Sequence, residues 1–290
     1  VPRCLFGLFA PFALFATGCG SEPPAVAGAP QNSTPTSNKP SDFQPGACGK
    51  VTGFVTWTGA APDVPPVTDV RPRADGNGLE TRTLTPPYAP RIDRFTHALG
   101  GAVVYLREVN PARAKPWDLP PVTVEIRDSQ IVVKQGDRPT TRVGFVRRGE
   151  AVKLQSSEPV FHVLRGRGAA FFALPFPDAD KPLERQFDAF GRIELTSAAG
   201  FPWHAADLFV CDHPYYTVSE ADGRFQFTQV PEGTYDLVVW HPNWAVTAKE
   251  RNPETGLVNR IVYGPPLENS RPVEVTPGRT SLANLTLLPK

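Results

Sequence analysis

Apolar and polar residues alternate with a period of two through most of this chain, and almost nowhere does a helical period replace that alternation. The clearest stretch runs from Asp212 to Pro242. Tyr216-Thr217-Val218, the alternating Arg224-Phe225-Gln226-Phe227 and the β-branched and aromatic run Thr234-Tyr235-Asp236-Leu237-Val238-Val239-Trp240 read there as three strands. Asp222-Gly223 predicts a type I′ hairpin between the first two, because both central residues of that turn need positive φ. Pro231-Glu232-Gly233 turns the chain again. Hairpins in succession at this spacing predict a small antiparallel sandwich.

Upstream, residues 49–57 (GKVTGFVTW) and 101–106 (GAVVYL) alternate like further strands of the same sandwich, and residues 272–278 and 283–287 would close it. Between them lies a second series: 122–126, 131–133, 141–146, 151–154, 160–164, 192–195 and 207–211, which implies a Greek-key sandwich. The fold class is all-β, with two β-sandwich domains. The economical arrangement is a discontinuous sandwich, 48–111 plus 213–290, interrupted by a second β domain at 112–212. A tandem of three β modules is the alternative, although 48–111 alone would have too few strands to cover its own apolar face. Short helices are plausible only at 178–190 and 248–254. The segment 60–98 is long enough to be either functional or poorly ordered.

Composition sharpens this picture. The 290 residues include 34 prolines, 24 glycines and no methionine, as suits a turn-rich protein with few helices. A formal charge of +1, with no basic run, gives no electrostatic preference for nucleic acid. Residues 1–19 read as an export signal: Arg3 is the positive start, Leu5 to Ala16 an apolar core too short to span a bilayer, and Ala16-Thr17-Gly18-Cys19 resembles a bacterial lipobox. Cys19 is then the lipidated N-terminus, and the Pro/Ser/Thr-rich residues 20–47 are a disordered linker. These features predict an exported cell-envelope protein, lipid-anchored and facing the periplasm or the cell surface. Cys48 and Cys211 remain in the folded region. They are candidates for a disulfide in an oxidising compartment, with two unpaired thiols as the alternative.

The wording ADGRF…VPEGTY resembles the carboxypeptidase regulatory-like, transthyretin-like β-sandwich and the second domain of rhamnogalacturonan lyases. Neither domain type is a catalyst by itself, which implies a non-enzymatic accessory or binding role. The strings VRRGEAV, SEPVFHV and FPWHAADLFV followed by DHPYY resemble envelope proteins of the methylamine-utilisation type, in which a cupredoxin-like domain leads into a regulatory-like sandwich. That family writes its copper ligands as an early His and then C-x-x-H-P-W-M. Here the early imidazole is His162. Placing Pro202-Trp203 on the family's Pro-Trp puts Ala198 at the thiolate, Phe201 at the second imidazole and His204 at the axial ligand.

A type 1 copper site needs two imidazoles and a thiolate. With Ala198 and Phe201 in place, no metal is expected, and Phe201 and Ala198 are expected to fill the site with apolar volume. One rescue would assemble His162, His204, Cys211 and His213, because Cys211 and His213 lie two apart on a strand. His213 and His241 precede prolines and read as structural, and His97 lies in the long loop. No H-E-x-x-H, G-x-S-x-G or P-loop pattern appears. Trp203, Tyr215, Tyr216, Trp240 and Trp244 cluster near the domain junction, either as a buried inter-domain core or as a platform that stacks on a sugar ring. The expectation is a membrane-tethered envelope lipoprotein with a binding or assembly role, its partner an envelope protein or a glycan. The rivals are a copper-binding, electron-transfer periplasmic protein and a carbohydrate-binding accessory of polysaccharide degradation.

Overall fold

The computed structural model describes residues 42–73, 77–138, 141–251, 253, 254, 256 and 258–288. The export segment with Cys4 and Cys19, and positions 20–41 of the expected linker, lie outside the described residues. The end of that linker is ordered, contrary to expectation. Pro45–Ala47 make a turn of 3-10 helix, and the Asp42 N–H donates to the Ala112 carbonyl at 2.9 Å.

Among the described residues all regular structure beyond that turn is strand, as the alternating pattern requires. The first part of the chain supplies β1 (Cys48–Trp57), β2 (Val67–Pro72), β3 (Leu79–Leu84), β4 (Arg91–Ile92), β5 (Leu99–Gly100) and β6 (Val103–Arg107). The middle supplies β7 (Val122–Arg127), β8 (Gln130–Gln135), β9 (Val143–Arg147), β10 (Ala151–Ser156), β11 (His162–Gly168), β12 (Phe172–Phe176), β13 (Leu183–Gln186), β14 (Gly191–Ser197) and β15 (Ala205–Cys211). The last part supplies β16 (Tyr216–Val218), β17 (Arg224–Pro231), β18 (Gly233–His241), β19 (Val246–Arg251), β20 (Val258–Tyr263), β21 (Leu267–Val275), β22 (Thr280–Leu282) and β23 (Leu285–Leu287). Both suggested helices are corrected: 178–190 contains β13, and 248–251 belongs to β19. The long segment 60–98 is organised by the β2–β3 hairpin, and β4 pairs with β5.

One sandwich faces the sheet β17-β1-β22, with β23 also on β1, against the sheet β16-β6-β18-β21. Its strands thus come from both ends of the described chain. Val51, Val55, Phe225, Phe227, Leu237, Val239 and Val273 fill the space between the two sheets. The other sandwich is contributed by residues between β6 and β16. It faces β13-β10-β7-β8 against β12-β11-β14-β15-β9, around Val124, Ile126, Leu154, Leu164, Ile193, Leu195 and Leu208.

The expected Asp222-Gly223 hairpin does not form. β16 pairs with β6 and β17 pairs with β1, so the chain arches from one sheet to the facing sheet at this turn. Of the two turn residues only Gly223 takes positive φ, at 80°, and the turn closes through the Gly223 N–H to the Glu220 carbonyl at 2.9 Å. A Cβ on Gly223 would lie 2.5 Å from the Val55 carbonyl oxygen, so glycine is required for approach as well as for φ. β17 and β18 likewise belong to opposite sheets across Pro231-Glu232-Gly233. The residues correctly signal turns, but the turns are arches, because each strand's apolar face must meet the opposite sheet to be covered.

β15 links the two sandwiches. All of its positions are buried. Ala206, Leu208 and Val210 point into the second sandwich's core, while Phe209 and Cys211, on the opposite face, join Val103, Phe145, Tyr216 and Trp240 in a junction cluster. Tyr105 and Tyr216 stack there with centroids 5.0 Å apart, and Phe209 meets Trp240 edge-on at 5.1 Å. Such pairs add about 0.5–1.5 kcal/mol each beyond area burial. Truncating Phe209 to Ala empties the middle of this cluster and is expected to cost about 3–5 kcal/mol. Urea denaturation followed by tryptophan fluorescence measures that loss. A loss well under 1 kcal/mol would mean that the junction is not a cooperative part of the fold.

Candidate functional site

The loop between β14 and β15 and the start of β11 bring the aligned ligand positions together at one rim of the second sandwich. The Ala198 N–H donates to the Val163 carbonyl at 2.8 Å, which places Ala198 next to His162. A short turn, closed by the His204 N–H on the Phe201 carbonyl at 3.1 Å, carries Phe201, Trp203 and His204. His162 is fully buried. Its Nε2 is 2.9 Å from Glu158 Oε2, and Glu158 is held in turn by the Ser129 N–H (2.6 Å) and by its own N–H on Ser156 Oγ (3.3 Å). The other ring nitrogen of His162, Nδ1, is buried without a hydrogen-bond partner.

Phe201 contacts both imidazoles. Its ring centroid is 4.6 Å from that of His162 and 5.0 Å from that of His204, nearly parallel to the latter, while the two imidazoles are 5.6 Å apart. His204 is 1% exposed, and neither of its ring nitrogens makes a hydrogen bond. Burial first, then the neighbouring His162, hold its pKa down at about 3, slightly offset by Glu158 and by the Ser129 carbonyl. That carbonyl already accepts the Trp203 indole N–H at 3.0 Å.

The residues do not fit a type 1 copper ion. Position 198 has no sulfur, a phenyl ring stands at position 201, and one nitrogen of His162 is taken by a carboxylate. Among the described residues no group of three or more His, Cys, Asp or Glu side chains is arranged to hold a metal ion. The rescue set does not assemble either. His204 immediately precedes β15 and Cys211 ends it, which separates them by about 20 Å of extended chain. His213 stacks on Tyr216 at 5.2 Å, and its Nδ1 accepts the Tyr215 N–H at 3.3 Å.

Of the two alternatives for Cys48 and Cys211, the structure shows the unpaired one and not the disulfide: both thiols are free and buried. Cys48 Sγ donates to the Gln44 carbonyl and Cys211 Sγ to the Phe209 carbonyl, each at 3.2 Å. Burial raises both thiol pKa values, Cys211 far more, so neither is poised as a thiolate. For the aromatic residues the structure places most of the rings in cores, as the first of the two alternatives has it. Tyr215, Tyr216 and Trp240 are buried in the first core and the junction, Trp244 packs on Trp57 at 5.4 Å, and Trp203 lies at the histidine rim. Burial of these rings serves packing, and they present no shared open face.

Several polar residues escaped the sequence reading. In β15, Asp207 is fully buried and its Oδ1 accepts both Nε and Nη2 of Arg192 at 2.7 Å. The Arg192 guanidinium in turn lies 4.9 Å from the Trp240 ring centroid. Tyr88, from the long loop, is 3% exposed and meets Tyr263 edge-on at 4.8 Å. The available signal was a lone acidic residue inside the apolar run AADLFV, since a buried carboxylate needs a cation. Nothing in the local sequence of Tyr88, Glu158 or Arg142 marks them out.

No protein-family model matches this chain, and no curated protein matches it. Solved structures similar to it include cupredoxins. A purple cupredoxin from Nitrosopumilus maritimus is 15% identical with a TM-score of 0.24, the match covering 31% of this chain and 98% of that one. Amicyanin from Paracoccus versutus is 19% identical with a TM-score of 0.26, covering 37% and 97%. An amicyanin variant in its Cu(I) form is 16% identical with a TM-score of 0.25, covering 37% and 98%.

The histidines make stability depend on pH. Burial depresses His204 to about 3 and His213 and His241 to about 4, against an ordinary value of 6.5. The unfolded chain therefore binds protons that the folded chain refuses. Stability is full above about pH 6.5 and falls as pH drops toward 4, by about 1.4 kcal/mol per pH unit for each ring. Replacing His204 by Phe is expected to flatten this acid limb by about a third. Urea midpoints measured between neutral pH and pH 4 check it, and an unchanged slope would show that His204 is not buried in its neutral form.

Proposed function

We propose that this chain is a non-enzymatic, membrane-tethered cell-envelope protein with a binding or assembly role, in which a cupredoxin-like sandwich has lost its copper chemistry. In this reading it is fused to a carboxypeptidase regulatory-like sandwich and serves as a rigid scaffold. The observation that supports it is the Phe201 ring in contact with both His162 and His204, where the family pattern would place an imidazole. A hydrocarbon ring gives a metal ion nothing to bind, and it occupies the volume a ligand set would need. The alanine at 198 supplies no thiolate for electron transfer.

One observation favours a second reading, in which the rim binds copper through its imidazoles: Nδ1 of His162 and both nitrogens of His204 are buried without hydrogen-bond partners. Copper titration of the purified protein separates the two. The scaffold reading expects no stoichiometric binding and no thiolate-to-copper absorption. Tight stoichiometric binding that is lost in His162→Ala would overturn it. The double variant Ala198→Cys with Phe201→His rebuilds the missing donors and is expected to gain copper binding and colour. A double variant that folds and stays colourless would remove the alignment on which the scaffold reading rests.

The tether rests on the lipobox-like Ala16-Thr17-Gly18-Cys19. Fractionation of expressing bacterial cells is expected to place the unaltered chain with membranes and the Cys19→Ala chain in the soluble periplasmic fraction. Equal membrane association of the two would sink the lipid anchor.

A further inference from the structure

A cavity of about 310 Å³ lies at the junction, walled by the 85–91 segment of the long loop, by β8 and β9, by Asp207 of β15 and by His241-Pro242. Residues of both sandwiches therefore line it. Its volume falls in the range of small-molecule sites and exceeds what a single water needs. Three of its polar groups are incompletely matched within the protein.

Arg142 is partly buried and donates from Nη1 to the Ala205 carbonyl at 3.2 Å and from Nη2 to Gln130 Oε1 at 2.8 Å. Both acceptors are neutral, and among the described residues no carboxylate pairs with this guanidinium. Further N–H donors remain on it. The Tyr88 hydroxyl is buried without a partner. Asp207 spends Oδ1 on Arg192, while its Oδ2 is buried and unpartnered. The Tyr88 phenol approaches the Asp207 carboxylate without reaching hydrogen-bond geometry. An uncompensated cation beside a donor and an acceptor that do not quite meet is costly unless something bridges them.

We propose that this cavity binds a small hydroxylated carboxylate of about monosaccharide size, its carboxylate on Arg142 and one of its hydroxyls between Tyr88 and Asp207. A carboxylate matches the guanidinium in charge and in fork geometry. A hydroxyl accepts from the Tyr88 O–H and donates to Asp207 Oδ2, which neither a second anion nor an apolar group can do. Pro86 and Pro87 supply the apolar wall that such a ring needs. The inference rests on the binding role proposed for the chain, and gives that role a ligand class and a place.

Isothermal titration and thermal melting of the full chain with D-glucuronate as probe and D-glucose as neutral control test it. Glucuronate at millimolar concentration is expected to bind and to raise the melting temperature, and glucose to do neither. Arg142→Gln is expected to weaken glucuronate by about tenfold or more, and Tyr88→Phe, which keeps the ring in place, by about fivefold. No binding of glucuronate would overturn the proposal and leave water as the bridge between Tyr88 and Asp207. Equal binding of glucose, or unchanged affinity in both folded variants, would overturn it too. None of these outcomes depends on whether copper binds at the histidine rim.

Discussion

The burial of β15 on both faces is the constraint on which the rest of the structure depends. A strand in an ordinary two-layer sandwich hides alternate residues and shows the others to water. β15 instead gives Ala206, Leu208 and Val210 to one core and Phe209 and Cys211 to the junction, with Asp207 between them. His204 stands at its start and the Tyr215-Tyr216 pair follows its end. The histidine rim, the Arg192–Asp207 pair and the aromatic junction are therefore fixed relative to one another by one extended segment. Because β15 is held by β14 on one edge and by parallel β9 on the other, it cannot shift register without moving its whole apolar set to the wrong face.

The buried charges around this strand follow from the same geometry. A carboxylate on the junction face of β15 is out of reach of bulk water, so it needs a cation from β14, and Arg192, paired opposite Phe209, supplies it from the diagonal position while lying over Trp240. His204 and His213 solve their burial differently, by staying neutral. His204 and His213 lie at opposite ends of the strand, and both are pushed well below ordinary imidazole values by desolvation.

Much of this was legible in the residues. Period-two alternation and the absence of helical periods were enough for an all-β fold, because they register which face each strand buries. In the second sandwich the strands missed were β12 and β13. β12 contains Pro175, which reads against a strand but is tolerated because β12 is an edge. β13 lies in a mostly exposed polar run with little apolar signal. The Asp222-Gly223 turn was placed correctly and its partners wrongly, since a turn's chemistry says that the chain reverses but not which sheet receives it. At the rim, the family pattern located His162, Phe201 and His204 together. Glu158, Tyr88 and Arg142 were invisible because their importance comes from neighbours far away in sequence, and the aromatic residues near Trp240 were read as clustered without any means of telling a core from an open face.

The pairing of β1 with β22 and β23 has a consequence for how the molecule is made. β1, near the beginning of the described residues, finds two of its neighbours in the last described strands. The outer sandwich therefore stays incomplete until β23 has been made, whereas every strand of the inner one has emerged by Cys211. Assembly has an order imposed by connectivity: the inner sandwich can be finished while the outer one is still waiting for β22 and β23.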